Sequence, residues 1–153
     1  MAKFKYGMQN ILDLKVKLED QQRMALAAAR INLNSEEDKL ETLYTRKNNY
    51  EEALRTACKN KLNLSTIKIG AAAFESMDYF IGLQKVEVKK AEGKLKIEQD
   101  KMVEAMKERK IQEKLREKAF DRFLKEIADE ESKMVDELVA YKYNSNRNEE
   151  EQE

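Results

Sequence analysis

The chain has 153 residues, with no proline, tryptophan or histidine and only four glycines. Charged residues make up 39% of it, and thirty basic residues balance thirty acidic ones. This composition excludes a thick globular core, a net charge that would attract nucleic acid or an anionic membrane, and chemistry that depends on histidine.

Long helices are the structure that such a composition favours. Proline and glycine interrupt helices, so their scarcity predicts helices that bury only a narrow apolar seam, as in a coiled coil. The single Cys58 excludes an internal disulfide framework, and beside Ala57 we expect it to be a small buried residue. Neither a signal peptide nor a spanning helix is predicted, so we expect a cytosolic protein.

A first helix is predicted over about residues 4–60. Its apolar residues recur in steps of 3-4-4 from Ile11 to Leu40, an eleven-residue period, and then in the 3-4 steps of a heptad. The predicted seam consists of Ile11, Leu14, Leu18, Gln22, Ala25, Ala29, Leu33, Glu36, Leu40, Leu43, Lys47, Tyr50, Leu54 and Ala57. Its polar members cost stability but can fix the register.

A turn is predicted between about residues 60 and 71, because this stretch is rich in Asn, Ser, Thr and Gly. Ser65 is suited to cap the second helix, which is predicted over about 72–142. Folding back near residue 67 predicts three sets of neighbours: Leu40 with Leu95, Leu33 with Met102, and Ile11 and Leu14 with Phe120 and Phe123. The last ten residues, 144–153, have no apolar period and are predicted to be disordered.

The predicted fold is therefore all-α. Residues 1–143 are expected to form one antiparallel two-helix coiled-coil hairpin, a long rod, followed by a disordered tail.

The residues offer little for catalysis, and we expect no enzyme, no cofactor and no metal. The acidic clusters at residues 36–38 and 129–131 lack the spaced ligands of a Ca²⁺ loop and are interpreted as solvated helix surface.

Two apolar segments exceed what a two-helix seam can cover. The window Gly70–Leu83 contains Phe74, Tyr79 and Phe80, so it is either a contact site or local packing of the turn. A stripe of Ile111, Leu115 and Ala119 lies off the seam and is either ordinary exposed surface or a second contact face.

Several short segments, in order, resemble the FliJ family of flagellar type III export proteins. They are Phe4-x-Tyr6, Ile11-Leu12-x-Leu14, the stretch from Leu40 to Tyr50, Tyr79-Phe80-Ile81, Lys118-Ala119-Phe120 and Phe123-Leu124. The pattern is also similar to the type III secretion stalk protein YscO and to the central stalk of F-type and V-type ATPases.

This resemblance implies a non-catalytic stalk of the export ATPase complex. The implied partners are a hexameric ATPase like FliI, a regulator like FliH, the cytoplasmic domain of an export gate like FlhA, and export chaperones. The implied location is the cytoplasm, at the inner face of the cell membrane at the flagellar base. The implied role is flagellum assembly, hence motility and chemotaxis, with a chain that is monomeric when isolated.

The resemblance also implies two protein-binding surfaces. The gate would be bound by Leu43, Arg46, Tyr50, Phe80, Leu83 and Gln84. The ATPase ring would be bound by Phe4, Ile11, Leu14, Leu18, Phe120, Phe123, Leu124 and Ile127.

Two other functions stay open at this stage. A generic structural coiled coil would dimerise through the same seam. A stalk subunit of a rotary ATPase would usually carry a globular domain between its helices, which the short predicted turn disfavours.

Overall fold

Two long helices make up the chain in a computed structural model that describes residues 3–61 and 63–150. Helix α1 spans Gln9–Lys59 and helix α2 spans Leu64–Glu150, and no strand occurs within these described residues. The predicted all-α fold of two helices is confirmed. None of the described helical segments is long and apolar enough to cross a membrane.

The helix ends are set by local hydrogen bonds. Gly7 and Met8 form a turn, and the Met8 carbonyl accepts the Leu12 N–H at 3.1 Å, so α1 begins at Gln9 rather than near residue 4. Asn63, not Ser65, caps α2, because its Oδ1 accepts the Ser65 N–H at 3.1 Å. The helices are therefore joined at residues 60–63, at the start of the predicted turn.

The far end of α2 differs from the prediction. The stretch from residue 144 was expected to be disordered, yet α2 continues to Glu150, and residues 151–153 lie outside the described part. Extending an existing helix gains one hydrogen bond for each residue fixed, without the cost of nucleating a new helix, and no proline or glycine stops the helix here.

Contacts divide the chain into two compact units. The turn unit is Leu18–Met106, and the terminal unit combines the residues up to Lys17 with those from Lys107 onward. In each unit a segment of α1 packs antiparallel against a segment of α2.

The register of the turn unit follows from cross-helix hydrogen bonds. Gln22 bonds to Glu98, and two heptads further along α1, Glu36 bonds to Gln84. Nearer the turn, Lys47 pairs with Asp78 at 2.5 Å. The predicted neighbours Leu40 and Leu95 are therefore wrong by about two heptads, because the chain folds back at residues 60–63 and not near 67.

The seam of α1 keeps a heptad period from Leu12 to Leu54. The eleven-residue period predicted from Ile11 to Leu40 does not occur in it. From Leu12 to Lys47 the buried or half-buried heptad positions are Leu12, Lys15, Glu19, Gln22, Leu26, Ala29, Leu33, Glu36, Leu40, Leu43 and Lys47. The predicted seam residues Ala25, Leu54 and Ala57 are half-buried as well, whereas Ile11, Leu14, Leu18 and Tyr50 are exposed, Leu14 at 53%. Five of the eleven heptad positions are polar, and some neighbouring apolar side chains face outward.

The terminal unit is held by aromatic packing and one ion pair. The extended residues 3–6 place the Phe4 ring 5.1 Å from Phe120 and 5.4 Å from Phe123, the role predicted for Ile11 and Leu14. Lys15 pairs with Glu108 at 2.7 Å. From residue 128 to residue 144 every α2 residue is exposed.

Substituting adjacent residues at the start of α1 tests where the seam lies. Leu12 is 6% exposed, so Leu12→Ala should lower the free energy of unfolding by about 2 kcal/mol. Ile11→Ala, on the exposed flank, should cost less than about 1 kcal/mol. Urea unfolding followed by circular dichroism measures both, and equal losses would contradict the assigned seam.

Glycines on α2 give a second test. At Gly70 an added Cβ would clash with Leu54, whose Cγ would lie 2.9 Å away, whereas at Gly82 and Gly93 nothing lies within 4 Å. Gly93→Ala should raise the free energy of unfolding by about 1 kcal/mol through helix propensity. Gly70→Ala should lower it, and truncating Leu54 to alanine in the same chain should remove that penalty. A stabilising Gly70→Ala would show that the helices are further apart at this position.

Candidate interaction surfaces

A groove lies between the helices of the turn unit, close to residues predicted to bind the gate. Its volume is about 650 Å³. It is lined by Leu43, Arg46, Met77, Phe80, Leu83, Gln84, Val86, Glu87 and Lys90. The structure thus brings together five of the six residues assigned to the gate, and Tyr50 lies outside the lining.

The groove has an apolar floor and a charged rim. Phe80 and Leu83 are about half exposed, at 47% and 50%, so a partner could still bury much of each side chain. Glu87 and Lys90 form an ion pair at 3.0 Å on the rim. Such a surface suits an apolar partner segment with polar edges.

The rest of the apolar window from Gly70 to Leu83 divides between packing and exposure. Ile81 is buried, and Phe74 is half-buried beneath the Lys47 ammonium, which lies 4.7 Å from the ring centroid. Tyr79 is exposed and packs edge-on against Phe80, with ring centroids 5.8 Å apart. Local packing therefore accounts for Ile81 and Phe74, and a contact site at the exposed residues stays a prediction.

Two amide–carboxylate contacts bridge the helices of the turn unit, one of them beside this groove, and we call them clamps. In one, Gln84 Nε2 donates to the Glu36 backbone carbonyl at 3.0 Å and to its carboxylate at 2.6 Å. Lys39 donates to the other carboxylate oxygen at 2.8 Å. The hydrogen bonds from Lys39 and Gln84 lower the pKa of Glu36 because they favour its charged form.

The second clamp repeats this arrangement. Gln22 Nε2 donates to the Glu98 carbonyl at 3.2 Å and also to its carboxylate. Lys101 donates to the remaining oxygen at 3.3 Å. The Gln22 hydrogen bond, helped by Lys101, lowers the pKa of Glu98 against partial burial, which acts to raise it.

A second exposed apolar surface lies along the start of α1. Ile11 and Leu14, both assigned to the ATPase ring, are exposed in the terminal unit, and Leu18 is exposed in the turn unit. Beside Leu14 and Leu18 the seam positions are Lys15 and Glu19, and Glu19 is only 3% exposed, whereas the seam position beside Ile11 is the buried Leu12. Exposed apolar residues next to buried polar ones indicate a contact surface rather than a folding core.

Aromatic residues extend the apolar surface of the terminal unit. Phe4 and Phe120 line a cavity of about 450 Å³ with Glu113, Arg116 and Glu117. Among the other α2 residues assigned to the ring, Leu124 is exposed, whereas Phe123 and Ile127 are half-buried.

The stripe of Ile111, Leu115 and Ala119 is partly covered. Leu115 and Ala119 line a cavity of about 610 Å³ together with the extended residues 3–6, while Ile111 stays exposed. Tyr6 brings its hydroxyl into this region, where it is buried without a hydrogen-bond partner. The stripe therefore contributes to the docking of the N-terminal segment.

The potential ligand and thiol residues have ordinary surroundings. Within the described residues, no group of three or more His, Cys, Asp or Glu side chains could hold a metal ion. Cys58 is exposed, so its predicted burial beside Ala57 is wrong. It comes just before the end of α1, where the seam runs out.

Sequence comparison identifies the family of the chain. Residues 4–148 match the family described as the flagellar FliJ protein. The chain belongs to the FliJ family. The resemblance in the sequence is thereby confirmed, and the chain is a component of flagellar type III export.

A solved structure supports the fold of this FliJ-family chain. A protein described as a homologue of YscO, CT670 from Chlamydia trachomatis, superposes with a TM-score of 0.74. The two are 18% identical, over 95% of this chain and 98% of that chain, so the likeness shows the fold alone. No curated protein matches this sequence.

Sequence reasoning about the FliJ-like surfaces missed some of their members. Met77, Val86 and Lys90 were not among the residues assigned to the gate, yet all three line the groove. Val86 follows Leu83 by three positions, a helical spacing that would have revealed it.

Proposed function

We propose that this chain is the non-catalytic stalk of a flagellar export ATPase complex, which links a FliI-like hexamer to the cytoplasmic domain of a FlhA-like gate. In this role it works in the cytoplasm, at the inner face of the membrane, with a FliH-like regulator, and escorts export chaperones. Flagellum assembly, and with it motility and chemotaxis, would depend on these contacts.

One observation carries the proposal: at several positions an exposed apolar side chain lies beside a polar side chain that occupies the seam. Ile11 and Leu14 are exposed beside the seam residue Lys15. Phe80 and Leu83 are exposed beside Gln84. A chain that needed only to fold would place these residues the other way round, because burying apolar area is the main source of stability.

The two surfaces supply the contacts that a linking protein needs. The ring residues lie mainly in the terminal unit and the gate residues in the turn unit. Helices are stiff enough to pass a bias from one contact to the other, provided that each partner has two states to be biased. The chemistry then stays with the ATPase.

The alternatives fit the structure less well. A generic coiled coil would dimerise through the seam, but in both units α1 and α2 already cover that seam for each other. A rotary ATPase stalk subunit would place a domain between the helices, and only residues 60–63 connect them here.

Binding to the gate domain tests the groove. Phe80→Ala with Leu83→Ala should weaken binding of the purified cytoplasmic domain of the gate about tenfold or more, since exposed anchor residues dominate such interfaces. Calorimetric titration measures the affinity, and circular dichroism should show unchanged helix content because neither side chain is buried.

Met24→Ala with Ile31→Ala is the matched control. Both residues are apolar, exposed and in the turn unit, and neither lines the groove. Equal loss of affinity in the two double variants, or none in either, would remove the groove from the proposal.

Binding to the ATPase hexamer tests the α1 surface. Ile11→Ala with Leu14→Ala should weaken association about tenfold or more, with little change in thermal stability. Val16→Ala, at another exposed apolar position of the same helix, should leave binding unchanged. Sedimentation of the chain with the hexamer reports both, and undiminished co-sedimentation of the double variant would rule this surface out.

A further inference from the structure

The turn unit contains one four-residue pattern twice, once in each helix. The spacing is identical in the two copies, which are Gln22-Ala29-Glu36-Lys39 in α1 and Gln84-Ala91-Glu98-Lys101 in α2. Because the helices are antiparallel, the Gln of each copy meets the Glu of the other. The turn unit is thus approximately two-fold symmetric about the level of its two alanines.

Each clamp joins one amide, one glutamate and one lysine. One amide nitrogen bonds both the carbonyl and the carboxylate of the facing glutamate, and a lysine three residues on occupies the second carboxylate oxygen. Bonds to an ionised acceptor are stronger than neutral ones and depend more on geometry. The clamps therefore discriminate sharply between facing residues.

Apolar packing between the clamps discriminates much less. Ala29 is half-buried and Ala91 is 2% exposed, so the seam at this level consists of small side chains. Leucine and valine recur at heptad positions on both sides of these alanines. If one helix slid along the other by one heptad, apolar residues would again face apolar residues.

We propose that the two clamps form a register lock, which holds α1 and α2 of the turn unit in one sliding register that the apolar seam would not select. A slide of one heptad in one direction sets Gln22 against Ala91 and Gln84 against Ala29. A slide in the other direction sets each glutamate against an alanine. Because of the two-fold arrangement, both clamps break together in either case.

A longer slide in the second direction is opposed as well. Two heptads in the second direction bring Glu36 against Glu98, and like charges at one seam level repel each other. The connection itself resists sliding weakly, since Asn60, Asn63, Ser65 and Thr66 are poor helix formers that can leave or join a helix end at low cost.

Distances between spin labels test the lock. The labels are placed at Ile31→Cys and Val103→Cys, both exposed and in the turn unit, with Cys58→Ser to remove the native thiol. One narrow distance distribution is expected for this parent chain. A slide of one heptad displaces the labels by about 10 Å along the helix axes.

Removing both clamp amides should allow the helices of the turn unit to adopt a second register. Gln22→Ala with Gln84→Ala is expected to add a second distance with a population of at least about one tenth. Gln21→Ala with Gln99→Ala, two exposed glutamines elsewhere on the same helices, should keep the single distance. A folded clamp variant that keeps the parent distance alone overturns the proposal.

If the alanine variant does not fold, a leucine variant tests the register lock instead. Replacing Gln22, Glu36, Gln84 and Glu98 by leucine makes the seam apolar at both clamp levels and more uniform, with Glu19 and Lys47 still polar. Its melting temperature should rise while several label distances appear, because a uniform seam is stable in more than one register. A single distance in that variant means that the register is set elsewhere, for example by Leu54 against Gly70.

Discussion

The amide–carboxylate contacts of Gln22 with Glu98 and Gln84 with Glu36 are the constraint on which the turn unit depends. They bridge the helices on either side of the level at which Ala29 faces Ala91, where the seam side chains are small. The register of α1 against α2 determines which residues of the two helices contact each other. The groove exists because that register sets Leu43 beside the segment that carries Phe80.

A polar seam with apolar flanks explains why so little of the chain is buried. Within the described residues, the buried apolar side chains are Leu12, Ile81, Val88 and Ala91. Most of the remaining apolar surface stays accessible along both helices, so the pair of helices has little hydrophobic stabilisation of its own. Partners that cover this surface would then contribute a large share of the stability of the assembled state, as expected for a part that works inside a complex.

The sequence predicted the number of helices and their antiparallel pairing, because these follow from composition and helical period, and it singled out Phe80 and Leu83 of the groove; Leu43, Arg46 and Gln84 came from the family resemblance. It did not predict the register. Leu40 was paired with Leu95, about two heptads from its place, since a heptad pattern looks the same after each repeat. It also placed Ile11 and Leu14 in the seam, because hydrophobicity alone assigns apolar residues to the interior. Only cross-helix partners such as Glu98 for Gln22 distinguish one register from another, and pairing of that kind is not visible in a one-dimensional pattern.

Gln84 belongs both to a clamp and to the groove, and this double role connects register with binding. Its amide is held by Glu36, while the residue lines the same groove as Phe80 and Leu83. A partner segment seated there would lie within reach of a side chain that helps to hold the helices in place. Since binding and conformation are linked reciprocally, a partner that favours the clamped register would stabilise it, and one that draws the amide away would weaken it. The groove thus differs from a passive docking site, because its occupancy acts on a contact between α1 and α2.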